Sequence, residues 1–195
     1  MQSEIEIRLL ECDEEKMIEK LKASGAEFVG DWVQMRNCYD FNPVTENSWI
    51  RLRTNGEETT LTIKEIKDKT IDGTKELEIV VSDFDKTDEM LNKLGYVARS
   101  VQENRRIRYM LDNVEIDIDF WPNIPTYVEF EGKSKQDIIN VCKKLGVDFS
   151  SLSTMDVASL YEYYGFGRDA INNLVLEDHR KNKQFKNIIN EKNRE

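Results

Sequence analysis

Charged residues occupy every second position in a series of short segments, and this feature constrains the fold more than any other. In the first segment, Glu4, Glu6 and Arg8 alternate with isoleucine and leucine. Side chains two residues apart lie on the same face of a β-strand, whereas neighbouring side chains lie on opposite faces. The segment therefore predicts a strand with one charged face and one apolar face.

Six later segments divide in the same way, with an apolar face opposite the charged one. Their charged-face residues are Arg51 and Arg53; Thr62 and Lys64; Glu76 and Glu78; Arg106 and Arg108; Glu115, Asp117 and Asp119; and Glu129 and Glu131. A sheet with one face in water would explain any single strand. Like charges two residues apart repel each other unless an ion or a ligand neutralises them, so the whole set indicates a shared counter-charge.

Turn and helix-stop residues between these segments predict a single α+β domain. The predicted strands span Ser3–Glu11, Glu27–Phe41, Trp49–Thr54, Glu58–Lys67, Thr74–Ser82, Tyr96–Leu111, Val114–Phe120 and Tyr127–Glu131. The predicted helices, each followed by glycine, span Asp13–Ser24, Lys86–Leu94, Lys135–Leu145 and Asp156–Tyr164. Closing the sheet into an antiparallel β-barrel, with its apolar side outward under the helices, would place the charges around a polar lumen.

The composition narrows the functional classes. The chain has 195 residues and a formal net charge of −10, which disfavours sequence-independent nucleic-acid binding because such proteins need an excess of Lys and Arg. Its three cysteines lie far apart in the sequence and favour free thiols in a reducing compartment. No stretch approaches the roughly 20 apolar residues that a membrane span needs. We therefore expect a cytoplasmic protein that binds neither nucleic acid nor membrane.

The charged faces supply two kinds of ligand group. Carboxylate oxygens suit Mg²⁺ or Mn²⁺, which also bind substrate phosphates. The candidate metal ligands are Glu4, Glu6, Asp117, Asp119, Glu129 and Glu131. Guanidinium groups donate forked hydrogen bonds that match phosphate oxygens. The candidate phosphate-binding residues are Arg8, Arg51, Arg53, Lys64, Arg106 and Arg108. Metal and arginine together favour phosphoryl chemistry on a triphosphate.

The segment Glu4-Ile5-Glu6-Ile7-Arg8 resembles the ExExK signature that opens proteins of the CYTH, or triphosphate tunnel, family, with Arg in place of the more usual Lys. The later elements follow in the family's order: Arg51-Leu52-Arg53, Lys64, Glu76-Leu77-Glu78, Arg106-Ile107-Arg108, Asp117 with Asp119, and Glu129-Phe130-Glu131. The resemblance covers roughly residues 1 to 165. It implies an eight-stranded tunnel domain, which we place over residues 1–167. The polar composition of residues 168–195 predicts a helical tail after it.

The resemblance also implies roles for these residues. Catalysis is expected from Glu4, Glu6, Arg8, Glu129 and Glu131. Substrate binding is expected from Arg8, Arg51, Arg53, Lys64, Glu76, Glu78, Arg106 and Arg108. Metal binding is expected from Glu4, Glu6, Glu129, Glu131 and one or both of Asp117 and Asp119.

Three functions fit this interpretation. The first is a hydrolase that uses Mg²⁺ or Mn²⁺ to cleave inorganic tripolyphosphate, ATP, thiamine triphosphate or a related compound. The second is a class IV adenylate cyclase, which makes cyclic AMP and pyrophosphate from ATP. The third is a non-catalytic module that binds polyphosphate or nucleotides. The tail is expected to form a surface helix or a homodimer contact, or to be partly disordered, and its His179, the only histidine, is expected to have no catalytic role.

Overall fold

The computed structural model describes residues 2–68 and 70–176, which form one curled antiparallel sheet with four α-helices. The strands are β1 (Gln2–Glu4), β2 (Glu6–Leu9), β3 (Glu27–Asp40), β4 (Ser48–Thr54), β5 (Thr59–Ile66), β6 (Thr74–Val81), β7 (Ala98–Leu111), β8 (Val114–Phe120), β9 (Tyr127–Glu131) and β10 (Asn173–Leu174). The helices are α1 (Glu14–Ala23), α2 (Phe84–Lys93), α3 (Lys135–Leu145) and α4 (Val157–Tyr163). The predicted α+β class is confirmed.

The first predicted strand is divided in the structure. The sheet order is β1-β6-β5-β4-β3-β7-β8-β9-β2, so the two halves of that segment lie at opposite ends of the order. Glu4 of β1 is opposite Thr74, whereas Arg8 of β2 is opposite Glu129. The prediction of one continuous strand over Ser3–Glu11 is therefore wrong at Ile5, where the chain leaves one neighbour and joins the other. The sheet forms a curled half-barrel of eight strands when β1 and β2 are taken as one, and its full closure stays a prediction.

The apolar faces of β8 and β9 pack beneath α1 and α3, as the alternation predicts, whereas Leu77 and Ile79 on the apolar face of β6 are exposed instead of covered by a helix. Ile116 and Ile118 of β8 and Phe130 of β9 are fully buried in one cluster with Leu21 of α1 and Ile138 of α3. Each buried side chain of this size contributes roughly 1.5–3 kcal/mol through removal of apolar surface from water. A second cluster places α2 against β3 and β4. The charged faces are thereby left on the other side of the sheet.

The helices begin at side chains that cap their N-termini. Asp13, Asp83, Ser134 and Asp156 each accept a hydrogen bond from the backbone N–H three residues later. Because Asp83 serves as the cap, α2 begins at Phe84 rather than at the predicted Lys86. Among the helices that the structure describes, none has the length and apolar content needed to cross a membrane.

The segment after α4 packs back onto the sheet. A 3₁₀ helix over Arg168–Asn172 leads into β10, which pairs in parallel with β7. Leu174 is buried in a cluster with Trp121 and Tyr161. Residues 168–176 of the predicted tail therefore contact the domain, whereas residues 177–195, with His179, lie outside the described residues. The predicted boundary at residue 167 stays a prediction.

Candidate active site

A cavity of about 880 Å³ lies on the charged side of the sheet. It lies within the size range of small-molecule sites, roughly 300–1,000 Å³. The predicted site residues that line it are Glu6, Arg8, Arg51, Arg53, Lys64, Glu76, Glu78, Arg106, Arg108, Glu129 and Glu131. Asp117 and Asp119 bind two of these arginines instead of lining the cavity, and the side chain of Glu4 lies outside the part of the chain that the structure describes.

Two arginines of β7 are bound to aspartates of β8. Arg106 donates from Nε and Nη2 to the two oxygens of Asp119 at 2.8 and 2.6 Å, and its Nη1 lies 2.6 Å from Asp117. Arg108 makes the same two-pronged contact with Asp117, at 2.8 Å for each bond. These pairs follow from the antiparallel register, in which Arg106 is opposite Asp119 and Arg108 is opposite Asp117.

Arg8 of β2 is held by Glu129 of β9 in a similar way. Its Nη2 lies 2.5 Å from Glu129 and 3.1 Å from Glu6, and its Nη1 donates to the backbone oxygen of Met155 at 2.9 Å. Burial opposes the charge of Arg8, but the attraction of Glu129 and Glu6 outweighs it and raises the pKa of Arg8 well above its usual value. We call Arg8, Arg106, Arg108, Asp117, Asp119 and Glu129 the paired wall.

Three cations stabilise the carboxylate of Glu129. Burial alone would favour its neutral form, but Arg8, Arg106 and Lys64 together lower the pKa of Glu129 to about 2. Lys64 belongs to β5, five places away in the sheet order, and it also forms an ion pair with Glu76. The side chains of Lys64 and Glu129 both line the cavity, so Lys64 acts on Glu129 although their strands are not adjacent.

A second group of arginines, on β3 and β4, is less completely neutralised. Arg51 lies 3.3 Å from Glu78 and 3.6 Å from Glu76, and Arg53 lies 3.8 Å from Glu78. Burial and the charges of Arg51 and Arg106 lower the pKa of Arg53 well below its usual value. We call Arg36, Arg51 and Arg53 the arginine wall.

Arg36 belongs to the arginine wall and was not predicted as a site residue. It is 6% exposed and lines the cavity, and its Nη2 donates to Gln34 at 2.9 Å and to Asn104. In residues 2–68 and 70–176, no carboxylate lies within ion-pair distance of its guanidinium. Burial and the charges of Arg51 and Arg106 lower the pKa of Arg36 to about 10. The pattern of like charges two residues apart does not include Arg36, because its neighbours on the same face of the strand, Gln34 and Cys38, are uncharged.

Three glutamates on neighbouring strands form a row that could contribute to a metal site. Glu131 of β9 is opposite Glu6 of β2 on one side and opposite Glu115 of β8 on the other. Burial and nearby Asp117 raise the pKa of Glu115 to about 7, although Arg108 lies 2.6 Å away. Within the described residues, no three His, Cys, Asp or Glu side chains are grouped closely enough to hold a metal ion. The donor chemistry of the row suits a hard divalent cation, and Glu6 and Glu131 are the two members of the row that the sequence predicted as metal ligands.

Solved structures from several organisms share this fold. A Pyrococcus furiosus protein described as conserved and hypothetical is 26% identical with a TM-score of 0.68, over 81% of this chain and 99% of that one. A Vibrio parahaemolyticus protein named as a candidate adenylate cyclase is 13% identical with a TM-score of 0.69, over 83% and 98%. A Hippeastrum protein, named as a candidate adenylyl cyclase with a dominant triphosphatase activity, is 13% identical with a TM-score of 0.56, over 84% and 96%.

The family assignment rests on the sequence. Comparison with curated proteins gives no match. The model of the CYTH domain, in contrast, matches residues 2–148, a range that contains β1 to β9 and the first three helices. It also contains every residue for which the alternation predicted a role in the site. Since the match takes in most of the 195 residues, the chain belongs to the CYTH family.

Proposed function

We propose that this protein is a divalent-metal-dependent hydrolase of inorganic tripolyphosphate or of a nucleoside or other organic triphosphate. The observation that carries the proposal is the arginine wall, which holds buried positive charge beside a cavity without enough carboxylates to neutralise it. A buried charge is costly unless a partner compensates it. A polyanionic ligand would supply that partner, and a triphosphate matches several guanidinium groups at once.

The chain's own residues would position such a ligand between the two walls. Arg51 and Arg53 would donate to phosphate oxygens, while Arg8 and Arg106 are already fixed in place by carboxylates and would approach the ligand with little loss of freedom. The closed tunnel implied by the family is part of this proposal. It is supported by the pairing of β1 with β6 and of β2 with β9, which joins both ends of the sheet through Ile5.

The metal would be held by one or two of Glu6, Glu129 and Glu131 together with phosphate oxygens of the substrate, because no three carboxylates among the described residues are grouped closely enough to hold it alone. Glu4, Asp117 and Asp119 are the remaining candidates from the sequence. A bound Mg²⁺ or Mn²⁺ would polarise phosphoryl oxygens and favour formation of a nucleophile from water. Glu6 and Glu131 are directly opposite each other, and like charges in that arrangement repel without a cation between them. Glu6, Glu129 and Glu131 line the cavity, whereas Asp117 and Asp119 do not, which makes the glutamates the stronger candidates.

A class IV adenylate cyclase is the second candidate, and the size of the cavity favours it. A volume of about 880 Å³ lies near the upper end of the range for small-molecule sites, and the lining extends to Val44, Trp49 and Ile66 at one end. These apolar side chains could accommodate a base or another organic group. Proteins of this fold include ones named for both activities.

Product analysis separates the candidates. The purified protein is incubated with tripolyphosphate, ATP or thiamine triphosphate, with Mg²⁺, with Mn²⁺ or with EDTA. Release of orthophosphate that requires metal supports the hydrolase, and formation of cyclic AMP with pyrophosphate identifies the cyclase. Binding of these compounds without turnover would leave a non-catalytic module, and turnover that is undiminished in EDTA would contradict the metal site.

The variant Glu131→Gln tests the proposed ligand set. We expect a loss of turnover of about 100-fold or more, because removal of a ligand forfeits several kcal/mol of metal-assisted stabilisation. The matched control is Glu19→Gln, which changes an exposed glutamate of α1 and should leave turnover unchanged. Unfolding by urea is measured for both variants, so that lost activity is not confused with lost structure. Full activity in Glu131→Gln would remove this residue from the metal site.

A further inference from the structure

The side chains of the arginine wall lie at successive depths in the cavity. Along β4, Trp49, Arg51 and Arg53 share one face, and their partners on β3 are Asp40, Cys38 and Arg36 respectively. Beyond Trp49 the cavity is lined by the loop over residues 44–48. At the other end, Arg53 also lines a separate cavity of about 60 Å³ together with Gln34 and Thr60. Arg36 and Arg53 therefore lie toward the end of the larger cavity that is away from that loop.

The hydrogen-bonding capacity of Arg36 is only partly used. Both of its side-chain bonds arise from Nη2, and in the described part of the chain its buried Nε has no acceptor. The ring of Trp121 covers the guanidinium at 4.7 Å, and Trp121 carries another buried donor, Nε1, that likewise has no acceptor among the described residues. A buried donor without an acceptor destabilises the folded protein, because it has lost its hydrogen bonds to water. Two such donors beside a cavity indicate a ligand that accepts hydrogen bonds.

The positions of the two charges point to the same ligand. Arg36 and Arg53 are directly opposite each other on adjacent strands, an arrangement in which like charges are destabilising. Arg36 has no carboxylate within ion-pair distance in residues 2–68 and 70–176, and the single contact of Arg53, with Glu78, is 3.8 Å long. An anion that contacts both guanidinium groups would remove the repulsion and satisfy their free donors.

We infer that Arg36 and Arg53 form a subsite for the terminal phosphate group of the bound triphosphate, at the end of the cavity away from the loop over residues 44–48. A terminal phosphate carries the most negative charge of the three and has three oxygens free to accept hydrogen bonds. The rest of the ligand then extends past Arg51 toward Trp49 and the loop over residues 44–48. This inference rests on the proposed function, since it requires that a triphosphate occupies the cavity.

Calorimetric titration with inorganic tripolyphosphate, first in EDTA and then with Mg²⁺, tests the subsite. We expect Arg36→Gln to weaken binding by at least about tenfold, because a charge-assisted hydrogen bond is lost, and Arg36→Lys to bind with intermediate affinity. The matched control is Arg105→Gln. Arg105 lies on β7, the strand next to that of Arg36, but on the outer face of the sheet, where it binds Asp31. The control should bind like the unaltered protein.

Two further measurements separate a ligand contact from a structural role. Without ligand, Arg36→Gln should unfold at the same urea concentration as the unaltered protein or a higher one, because a crowded buried charge is removed. In ³¹P NMR spectra of bound tripolyphosphate, the substitution should move a terminal phosphorus resonance and leave the middle one in place.

Equal affinity in Arg36→Gln, a clear loss of stability without ligand, or a shift confined to the middle phosphorus would each overturn the subsite. Failure of the unaltered protein to bind tripolyphosphate, ATP and thiamine triphosphate would instead overturn the proposed function, and the subsite with it.

Discussion

The paired wall and the arginine wall contain the same residue type in opposite electrostatic settings. Arg106 and Arg108 each bind an aspartate through two hydrogen bonds of 2.6–2.8 Å. Within the described part of the chain, Arg36 has only amide partners for its Nη2, and the one ion-pair contact of Arg53 is a long one with Glu78. Nearby carboxylates outweigh burial and raise the pKa of Arg106, whereas burial and neighbouring arginines lower the pKa of Arg36 to about 10.

This difference separates two tasks within one cavity. A guanidinium that is already bound to carboxylates is held rigidly. Its hydrogen bonds can orient a ligand, but its charge is largely neutralised. A guanidinium without such partners keeps its charge available for a ligand, and the folded protein is less stable as a result. Asn104 connects the two walls, since it accepts from Arg36 and donates to Asp119 at 2.9 Å. The positive charge left for a ligand is therefore concentrated on β3 and β4.

The largest effect on stability is expected from breaking the paired wall at Asp119, which is completely buried. The substitution Asp119→Ala leaves Arg106 without its two-pronged partner and should lower the free energy of unfolding by about 3–5 kcal/mol. The measurement is urea denaturation at neutral pH. Asp31→Ala is the control, because its pair with Arg105 is partly exposed and should contribute only about 0–1 kcal/mol. Similar losses in the two variants would show that burial does not distinguish these pairs.

The opposite response is expected on the arginine wall. Arg53→Gln should leave the free energy of unfolding unchanged or higher, while affinity for tripolyphosphate falls by about 10- to 100-fold through loss of a charge-assisted contact. Urea denaturation and calorimetric titration of the same preparation check the two halves of this prediction. Arg99→Gln, at an exposed ion pair with Asp40 near the edge of the cavity, is the control for net charge. A lower free energy of unfolding in Arg53→Gln would mean that Arg53 stabilises the folded protein, as the arginines of the paired wall do.

The sequence predicted the paired wall better than the arginine wall, for a physical reason. Like charges at i and i+2, such as Arg106 with Arg108, identify the lining of the cavity from strand parity alone. Which carboxylate binds which arginine depends on the register between strands, as in the pairing of Asp119 with Arg106, and a single sequence does not specify that register. Arg36 stands alone among neutral neighbours on its face, so only the assembled sheet shows that it lies beside Arg51 and Arg53.

The fold was predictable to a similar extent. Alternation and turn residues gave the class and most of the strands, because period and turn chemistry are local properties. The division of the first strand at Ile5 depends on pairing with β6 and β9, which are far away in the sequence. The short strand β10 depends in the same way on contact with β7, since its two residues carry no strand pattern of their own.

The smallest effect on stability is expected at Glu115. Its carboxylate borders the paired wall, but nearby positive charge compensates it poorly. Its pKa is about 7 in the folded protein, against about 4.3 for an unperturbed glutamate, so between these values the folded state binds more protons than the unfolded state. Stability should therefore fall as pH rises from 4.3 to 7, by on the order of 1–2 kcal/mol after allowance for the partial exposure of the side chain. In EDTA, Glu115→Gln should remove this part of the pH dependence and exceed the unaltered protein in stability above pH 7. Parallel stability curves for the two proteins from pH 5 to pH 8 would mean that Arg108, 2.6 Å away, already compensates the carboxylate, and Glu115 would then belong to the paired wall.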